Sequence, residues 1–511
     1  MMISSIKKNA LLLTTIASAN LVMVFPAVAE PWIDTSDIYL KANIQLLADS
    51  GHIVTPVTTY PLMWHDINRD IKSVTVSHLT DSQKEAYYYI KHQFNLANRN
   101  QTRVKAQLGI EDTRFTSFGE TYRDTNSLQV QTSTMIGNFA TNVSFSYYAN
   151  ADENQDKERW DNTYAAAFFG NWVIAAGKQD RWFGPSWDSS LSLSNNARPM
   201  TAVSLTRKSA EAFTIPFTEF DIPWTITTFM GKMDDSRVID DALLWGFRFN
   251  FKPFTNLEIG ITRIAQWGGK DRPQDLGTFW NLLIGKDNCS AGGLDCSAEQ
   301  EPGNQQAGFD ARYSFNLFDT PLALYGQYFA EDGDNSSSWS MVTKAKYQGG
   351  VDMHINLFSL PTTAYIEYTD TYQICETLNG RADIGDCYYE HHIYKTGMRY
   401  EGRTLGNLYD NDAKTVVVGA ISQLGANTRM TTKFRYLDLN YDNHDKAPTN
   451  PLIGNPLTAV SEKMYMLSGN LQHSYQQWRF TLGVDVSRSS FVDTSMNNNE
   501  VNASLTIEYN L

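Results

Sequence analysis

One stretch of the chain concentrates side chains that can grip sugars and anions. It reads Gly177-Lys178-Gln179-Asp180-Arg181-Trp182-Phe183-Gly184-Pro185-Ser186-Trp187-Asp188 and continues as SSLSLSNNARP from Ser189 to Pro199. A sugar ring lays its C–H face on an aromatic ring, and its hydroxyls need convergent donors and acceptors such as Asn, Asp and Arg. An acidic sugar polymer adds a use for Arg, whose planar fork takes a carboxylate through two parallel bonds. The candidate polysaccharide-binding residues are therefore Lys178, Arg181, Trp182, Trp187, Asp188, Asn195, Asn196 and Arg198. The competing reading is that the stretch folds inward and is held by its own polar network, with the Trp side chains as packing.

Elsewhere the chemistry-bearing patterns are weak. With 56 carboxylates, pairs that resemble a glycosidase dyad arise by chance. Gly184-Pro185-Ser186-Trp187-Asp188 lacks the closing glycine of a nucleophile elbow, and no His-Glu-x-x-His occurs. His391 and His392 are adjacent, so on a strand their rings point to opposite faces. Glu331-Asp332-Gly333-Asp334 lacks the spacing of an EF-hand loop. The expectation is binding without catalysis, with no catalytic residue, metal or cofactor. A formal net charge of −14 over 511 residues argues against broad nucleic-acid binding, which needs a basic footprint.

The elements that must position the segment change character along the chain. Lys7 and Lys8, the apolar LLLTTIASANLVMVF and the small Ala27-Val28-Ala29 form a secretory signal pattern, which places residues 1–29 as a cleaved signal peptide. Residues 30–99 carry helical signals. Ser36-Asp37 can cap a helix bearing Ile38, Leu40, Ile44 and Leu47, which Gly51 ends. Pro61 begins a second candidate around Leu62, Met63, Ile67 and Ile71, and Thr80 with Gln83 has capping-box spacing before a third, Asp81 to about Asn98.

From Gln101 the period becomes two. Trp245, Phe247, Phe249 and Phe251 alternate with Gly246, Arg248, Asn250 and Lys252. Phe309–Asn316, Trp478–Ser487 and Val501–Leu511 do the same. Strands of about ten residues with aromatics near their ends suit a membrane barrel. Gly137-Asn138 and Gly170-Asn171 are tight hairpin turns, whereas Arg181–Phe220, Trp267–Gln306, Cys375–Glu390 and Tyr441–Glu462 are long and polar. Short turns on one side and long loops on the other is the outer-membrane arrangement. The expectation is an all-β transmembrane barrel of about 18 antiparallel strands over 100–511, with 30–99 as a small α-helical plug in its lumen. Cys289 with Cys296, and Cys375 with Cys387, are expected to form two local disulfides, the preferred of three connectivities in an exported chain.

Pro31–Trp64 and Gly177–Pro199 resemble the Wzi family of capsule-assembly outer-membrane proteins, and the order of helical head and long β-region matches over essentially the whole mature chain. The resemblance implies a closed monomeric barrel of about eighteen strands in the outer membrane of a Gram-negative bacterium, blocked by a helical plug and by loops that face the exterior. It implies a non-catalytic, lectin-like role: attaching and organising capsular polysaccharide or exopolysaccharide on the cell. Its partners would be that polymer, outer-membrane lipid and the polysaccharide-export machinery. Two departures bear on this. The final residue is Leu511 where an aromatic is usual, and the resemblance is not extended to the loop Trp267–Gln306 with its cysteine pair, so loop-borne sugar specificity is not carried over. The alternative function is a substrate-selective outer-membrane porin.

Overall fold

The computed structural model describes residues 30–99, 101–120, 123–151, 155–214, 216, 220–284, 303–318, 320–331, 345–374, 388–391, 393–446, 452–492 and 497–511. The signal-peptide expectation, the four cysteines, His392 and Asp332–Asp334 lie outside the described residues.

Alternation with period two makes each strand present one face to each side, and hydrogen bonding between successive strands carries the sheet round until it closes. Eighteen antiparallel strands result: β1 Gln101–Gly109, β2 Ser127–Ile136, β3 Phe139–Tyr148, β4 Tyr164–Phe169, β5 Trp172–Lys178, β6 Thr201–Arg207, β7 Trp224–Lys232, β8 Leu243–Phe254, β9 Leu257–Trp267, β10 Gly303–Leu317, β11 Thr320–Glu331, β12 Ala345–Leu357, β13 Leu360–Asp370, β14 Ala413–Gln423, β15 Thr428–Leu439, β16 Glu462–Tyr475, β17 Trp478–Phe491 and β18 Asn497–Asn510. A two-residue piece, Glu158–Arg159, precedes β4 beside β3. The barrel closes by pairing β18 with β1, Leu505 opposite Leu108 and Tyr509 opposite Val104.

The alternation is inside-out relative to a soluble protein. In β8 the polar row Arg248, Asn250 and Lys252 is buried, while Trp245, Phe247, Phe249 and Phe251 face outward. Val203, Ile261, Phe309, Leu324, Val418, Leu482 and Val501 are likewise exposed. Apolar side chains outside and polar ones inside is what lipid on one face and a hydrated lumen on the other require. Outward aromatics gather at both ends: Trp245, Tyr328, Tyr347, Tyr368, Tyr436 and Tyr465 near the long loops, and Phe139, Phe254, Tyr313, Tyr475 and Trp478 near the short turns. The tight turns carry Gly137 at φ +58° and Gly170 at φ +56°, the left-handed values that two-residue hairpins demand.

Among the described residues, three α-helices precede the barrel: α1 Ile38–Asp49, α2 Trp64–Ser73 and α3 Asp81–Ala97. Asp37 caps α1 through the Tyr39 and Leu40 N–H groups, and Thr80 and Gln83 form a reciprocal capping box on α3. Their apolar sides share one core with luminal Tyr325, Tyr365, Val417 and Leu437. Polar bonds to the wall fix the position. The Glu258 carboxylate accepts the Val57 and Thr58 N–H groups at 2.8–3.0 Å, Arg248 reaches both Thr58 and Thr59, and Lys252 donates to the Ile53 carbonyl at 3.2 Å.

Three expectations need correction. The second helix starts at Trp64, not near Pro61, because Leu62–Met63 pairs with Trp32–Ile33 as a short ladder. The stretch Arg181–Phe220 is not one loop: Thr201–Arg207 is barrel strand β6, its alternation carried by Ala202 and Ser204 inward and Val203 and Leu205 outward. The loop Trp267–Gln306 contains an amphipathic helix, α4 Leu276–Leu283, capped by Asp275.

Candidate functional site

The segment 179–200 leaves β5 at the long-loop end, dips into the lumen and returns to β6. It descends far enough to meet α1 and the middle of the opposite wall. One wall carboxylate receives its backbone: Glu367 accepts the Trp187 N–H at 2.6 Å and the Asp188 N–H at 3.0 Å, and Tyr325 donates to the same group at 2.8 Å. A carboxylate that accepts several N–H bonds replaces the water those groups lose on burial. Gln327 and Gln348 of the wall bind the Leu191 N–H, the Phe183 carbonyl and the Ser189 carbonyl.

Among the aromatics, Trp187 is fully buried, donates its indole N–H to Asp352 at 2.7 Å and stacks on Tyr365 with ring centroids 6.0 Å apart. Trp182 is also fully buried and meets Phe118 edge to face at 5.3 Å. Between them stands the Lys41 ammonium of α1, 4.2 Å from the Phe118 ring centre, 4.8 Å from Trp182 and 5.0 Å from Trp187, donating to the Ser186 carbonyl at 2.6 Å. A cation over aromatic faces gains about 2 kcal/mol or more when desolvated. Burial pulls the Lys41 pKa well below the usual lysine range, against the opposing pull of Glu367.

The polar members are equally committed. Asp188 takes Arg435 at 2.8 Å, Lys433 at 3.5 Å and the Tyr409 hydroxyl. Burial alone raises its pKa, but the two cations and the tyrosine outweigh that and hold the carboxyl down at about 2. Asn195 donates to the Thr35 and Ser117 carbonyls at 3.4 and 3.5 Å, and Asn196 donates to the Thr404 carbonyl at 3.2 Å. The Arg123 guanidinium gathers the carbonyls of Asn195, Asn196 and Ala197.

The remaining three predicted residues lie toward the long-loop end, with Arg181 and Arg198 buried behind Lys178. Lys178 is half-buried and 3.8 Å from Asp161. Arg198 spans Asp161, at 2.9 Å, and Glu401. Arg181 lies over the Phe229 ring at 4.4 Å and donates to the Gln179 carbonyl, and burial lowers its pKa to about 10. Asp180, Arg181 and Arg198 line a small cavity of about 30 Å³. The structure thus divides the eight residues: Trp182, Trp187, Asp188, Asn195 and Asn196 are interior, Arg181 and Arg198 are buried toward the long-loop end, and Lys178 alone is half-buried.

Sequence reasoning missed the partners that hold the segment: Lys41, Arg123, Asp352, Glu367 and Arg435. Each wall residue among them sits in the polar row of an alternating strand, and that row was the available signal. It also missed the cluster below. Arg312 bonds bidentately to Asp352 at 2.7 and 2.8 Å and pairs with Asp49 of α1, which the His354 Nε2 approaches at 3.1 Å. Asp49, Asp352 and His354 have metal-ligand atoms within 4.8 Å of one another. The guanidinium between the carboxylates already supplies the positive charge a metal would bring, so the group reads as an ion-pair lock between plug and wall.

Comparison with known proteins gives three findings. A family model described as capsule assembly protein Wzi matches residues 95–504. An uncharacterized 55.8 kDa protein in the cps region of Klebsiella pneumoniae is 28% identical over 353 residues, 66% of this chain. That match spans 64% of the relative's length. The solved structure of Wzi, an outer-membrane protein involved in group 1 capsule assembly in Escherichia coli and a carbohydrate-binding β-barrel, superposes with a TM-score of 0.76 at 22% identity. The superposition covers 93% of this chain and 98% of that one.

Proposed function

This chain belongs to the Wzi family of capsule assembly proteins, and from that premise we propose that it attaches and organises capsular polysaccharide or exopolysaccharide at the cell surface without catalysis. On this reading the barrel sits as a monomer in the outer membrane with its long loops outward. The observation that carries the reading is the filled lumen beneath a loop end rich in charged side chains. Among the described residues, the cavities between plug and wall beside β15–β18 measure about 120 and 60 Å³, and two of about 560 Å³ lie between α1 or α3 and the short-turn ends of β11–β15. The first two fall below the roughly 300–1,000 Å³ of sites that take small-molecule ligands, whereas the larger two fall within it but sit at the short-turn end, away from the long loops. A barrel so filled is poorly suited to pass a sugar and well suited to hold a polymer on its outer end.

Lys178, with Arg181 and Arg198 behind it, is the part of the predicted site that reaches the rim, and it is assigned to acidic groups of the polymer. Trp182, Trp187, Asp188, Asn195 and Asn196 shape the floor on which those cations stand. The polymer-export machinery is the natural neighbour of such a protein, since the polymer must arrive where the loops are.

The test is deletion of the gene in its host, with surface polysaccharide measured in washed cells and in the medium. Unchanged total polymer that moves from cells to medium supports attachment. Unchanged distribution with reduced uptake of a solute would turn the reading over to a channel.

A further inference from the structure

Helix α4 lies outside the barrel. Phe279 and Leu282 pack on outward-facing Met230, Leu243, Trp245, Ala265 and Trp267, with the Phe279 ring 5.9 Å from Trp245 and 5.1 Å from Trp267. Trp245 is a member of the aromatic ring at the long-loop end of the wall, so the helix is seated at the level where such girdles meet the lipid headgroups. The same helix covers two polar side chains on the outward face of β9 and β10. Arg263 donates to the Leu282 and Leu283 carbonyls at 2.6 Å each, and Gln305 donates to the Leu282 carbonyl at 3.3 Å. These are the carbonyls a helix C-terminus leaves without partners, and the arginine is the charge that suits that end. Wall and helix satisfy each other, and without the helix both polar groups would face lipid.

The opposite side of the helix has no protein cover. Leu276, Trp280 and the capping Ile284 follow at four-residue steps along one ridge, 86%, 61% and 48% exposed. An apolar ridge that continues the lipid-facing surface of the barrel at girdle height has one fitting occupant. We infer that α4 is an interfacial lipid-binding helix, whose Leu276–Trp280–Ile284 ridge inserts between the acyl chains of the outer leaflet and fixes the depth at which the loop end rides. It rests on the barrel's seat in the membrane and is independent of what the loops bind.

The test uses the full-length protein in nanodiscs of phosphatidylcholine, a fraction of which carries a photoreactive diazirine midway along one acyl chain. After illumination and digestion, the peptide containing Leu276–Ile284 is expected to carry lipid, as is the β9 peptide Leu257–Trp267. The loop peptide around Tyr441 is expected to carry none. Leu276→Asn with Trp280→Asn is expected to lose the helix label while β9 keeps it, so a folding failure is separately visible. A labelled β9 beside an unlabelled α4 would overturn the inference, as would an unchanged helix label in the double variant. Absence of label from both peptides would overturn it together with the membrane seat of the barrel.

Discussion

The two sides of the lumen treat the plug differently. Along β8–β12 the wall is locked to it. Arg248, Asn250 and Lys252 are at most 4% exposed. Glu258 holds the Val57–Thr58 backbone, and Arg312 pins Asp49 of α1. Along β17 and β18 the luminal row is looser. Asn502, Ser504, Thr506 and Glu508 of β18 are only half-buried, and the 120 Å³ and 60 Å³ cavities both lie on this side. The Glu120–Lys433 pair bridges the gap, with Nζ to Oε1 at 2.9 Å. Both walls are lined with charges. On the locked wall the charges are desolvated and satisfied by backbone or by opposite charge, and a lost partner there leaves a buried charge bare. On the loose wall the Arg479–Glu508 pair is longer and more exposed.

That contrast predicts a gradient of mutational cost. Arg312→Ala strands Asp49 and Asp352 together in the interior, and a broken buried pair of this kind costs about 3–5 kcal/mol. Urea unfolding followed by tryptophan fluorescence should read that loss. Glu258→Ala leaves the Val57 and Thr58 N–H groups without acceptors, at about 1–3 kcal/mol for each orphaned group that stays dry. A smaller effect there would mean water reaches the locked wall after all.

Asp188 gives the contrast a pH axis. Its folded pKa of about 2 lies below the ordinary 3.8. Its stabilisation is therefore fully present above about pH 4 and is lost as the pH falls through about 2. Docking of segment 179–200, read by protease resistance across that range, should weaken at the acid end in the native protein. In Asp188→Asn it should start weaker and lose this step. The smallest effect is expected on the loose side. Arg479 and Glu508 approach at 3.5 Å with side chains 26% and 14% exposed, so Arg479→Ala should cost no more than about 1 kcal/mol by the same unfolding assay. A cost near that of Arg312→Ala would erase the distinction between the walls.

Much of this fold was legible because a membrane barrel writes its geometry into single residues. The Trp245–Lys252 alternation stated which face of β8 met lipid, Gly137 and Gly170 marked their turns, and Thr80 with Gln83 opened α3 as a capping box. What failed was tertiary. TAVSLTR at 201–207 is short and mixed, and only pairing with β5 and β7 makes it a strand. Helix α4 was missed because its two apolar sides, one for the wall and one outward, blur the usual one-sided period. In the candidate site, the sequence singled out the segment that enters the lumen but not the direction in which Trp182 and Trp187 point. A tryptophan that could stack on a sugar can equally pack on Tyr365, and Glu367, Asp352 and Lys41, which decide the matter, are far away in sequence.

On the proposed function, the barrel holds polymer rather than passing solutes. Proteoliposomes of the purified full-length protein, loaded with glucose and mixed with polysaccharide from the host, test both halves in one vessel. Polymer is expected to sediment with the vesicles, glucose to stay inside, and Lys178→Gln to reduce the sedimented polymer. Polymer left in the supernatant while glucose escapes would contradict the proposed function.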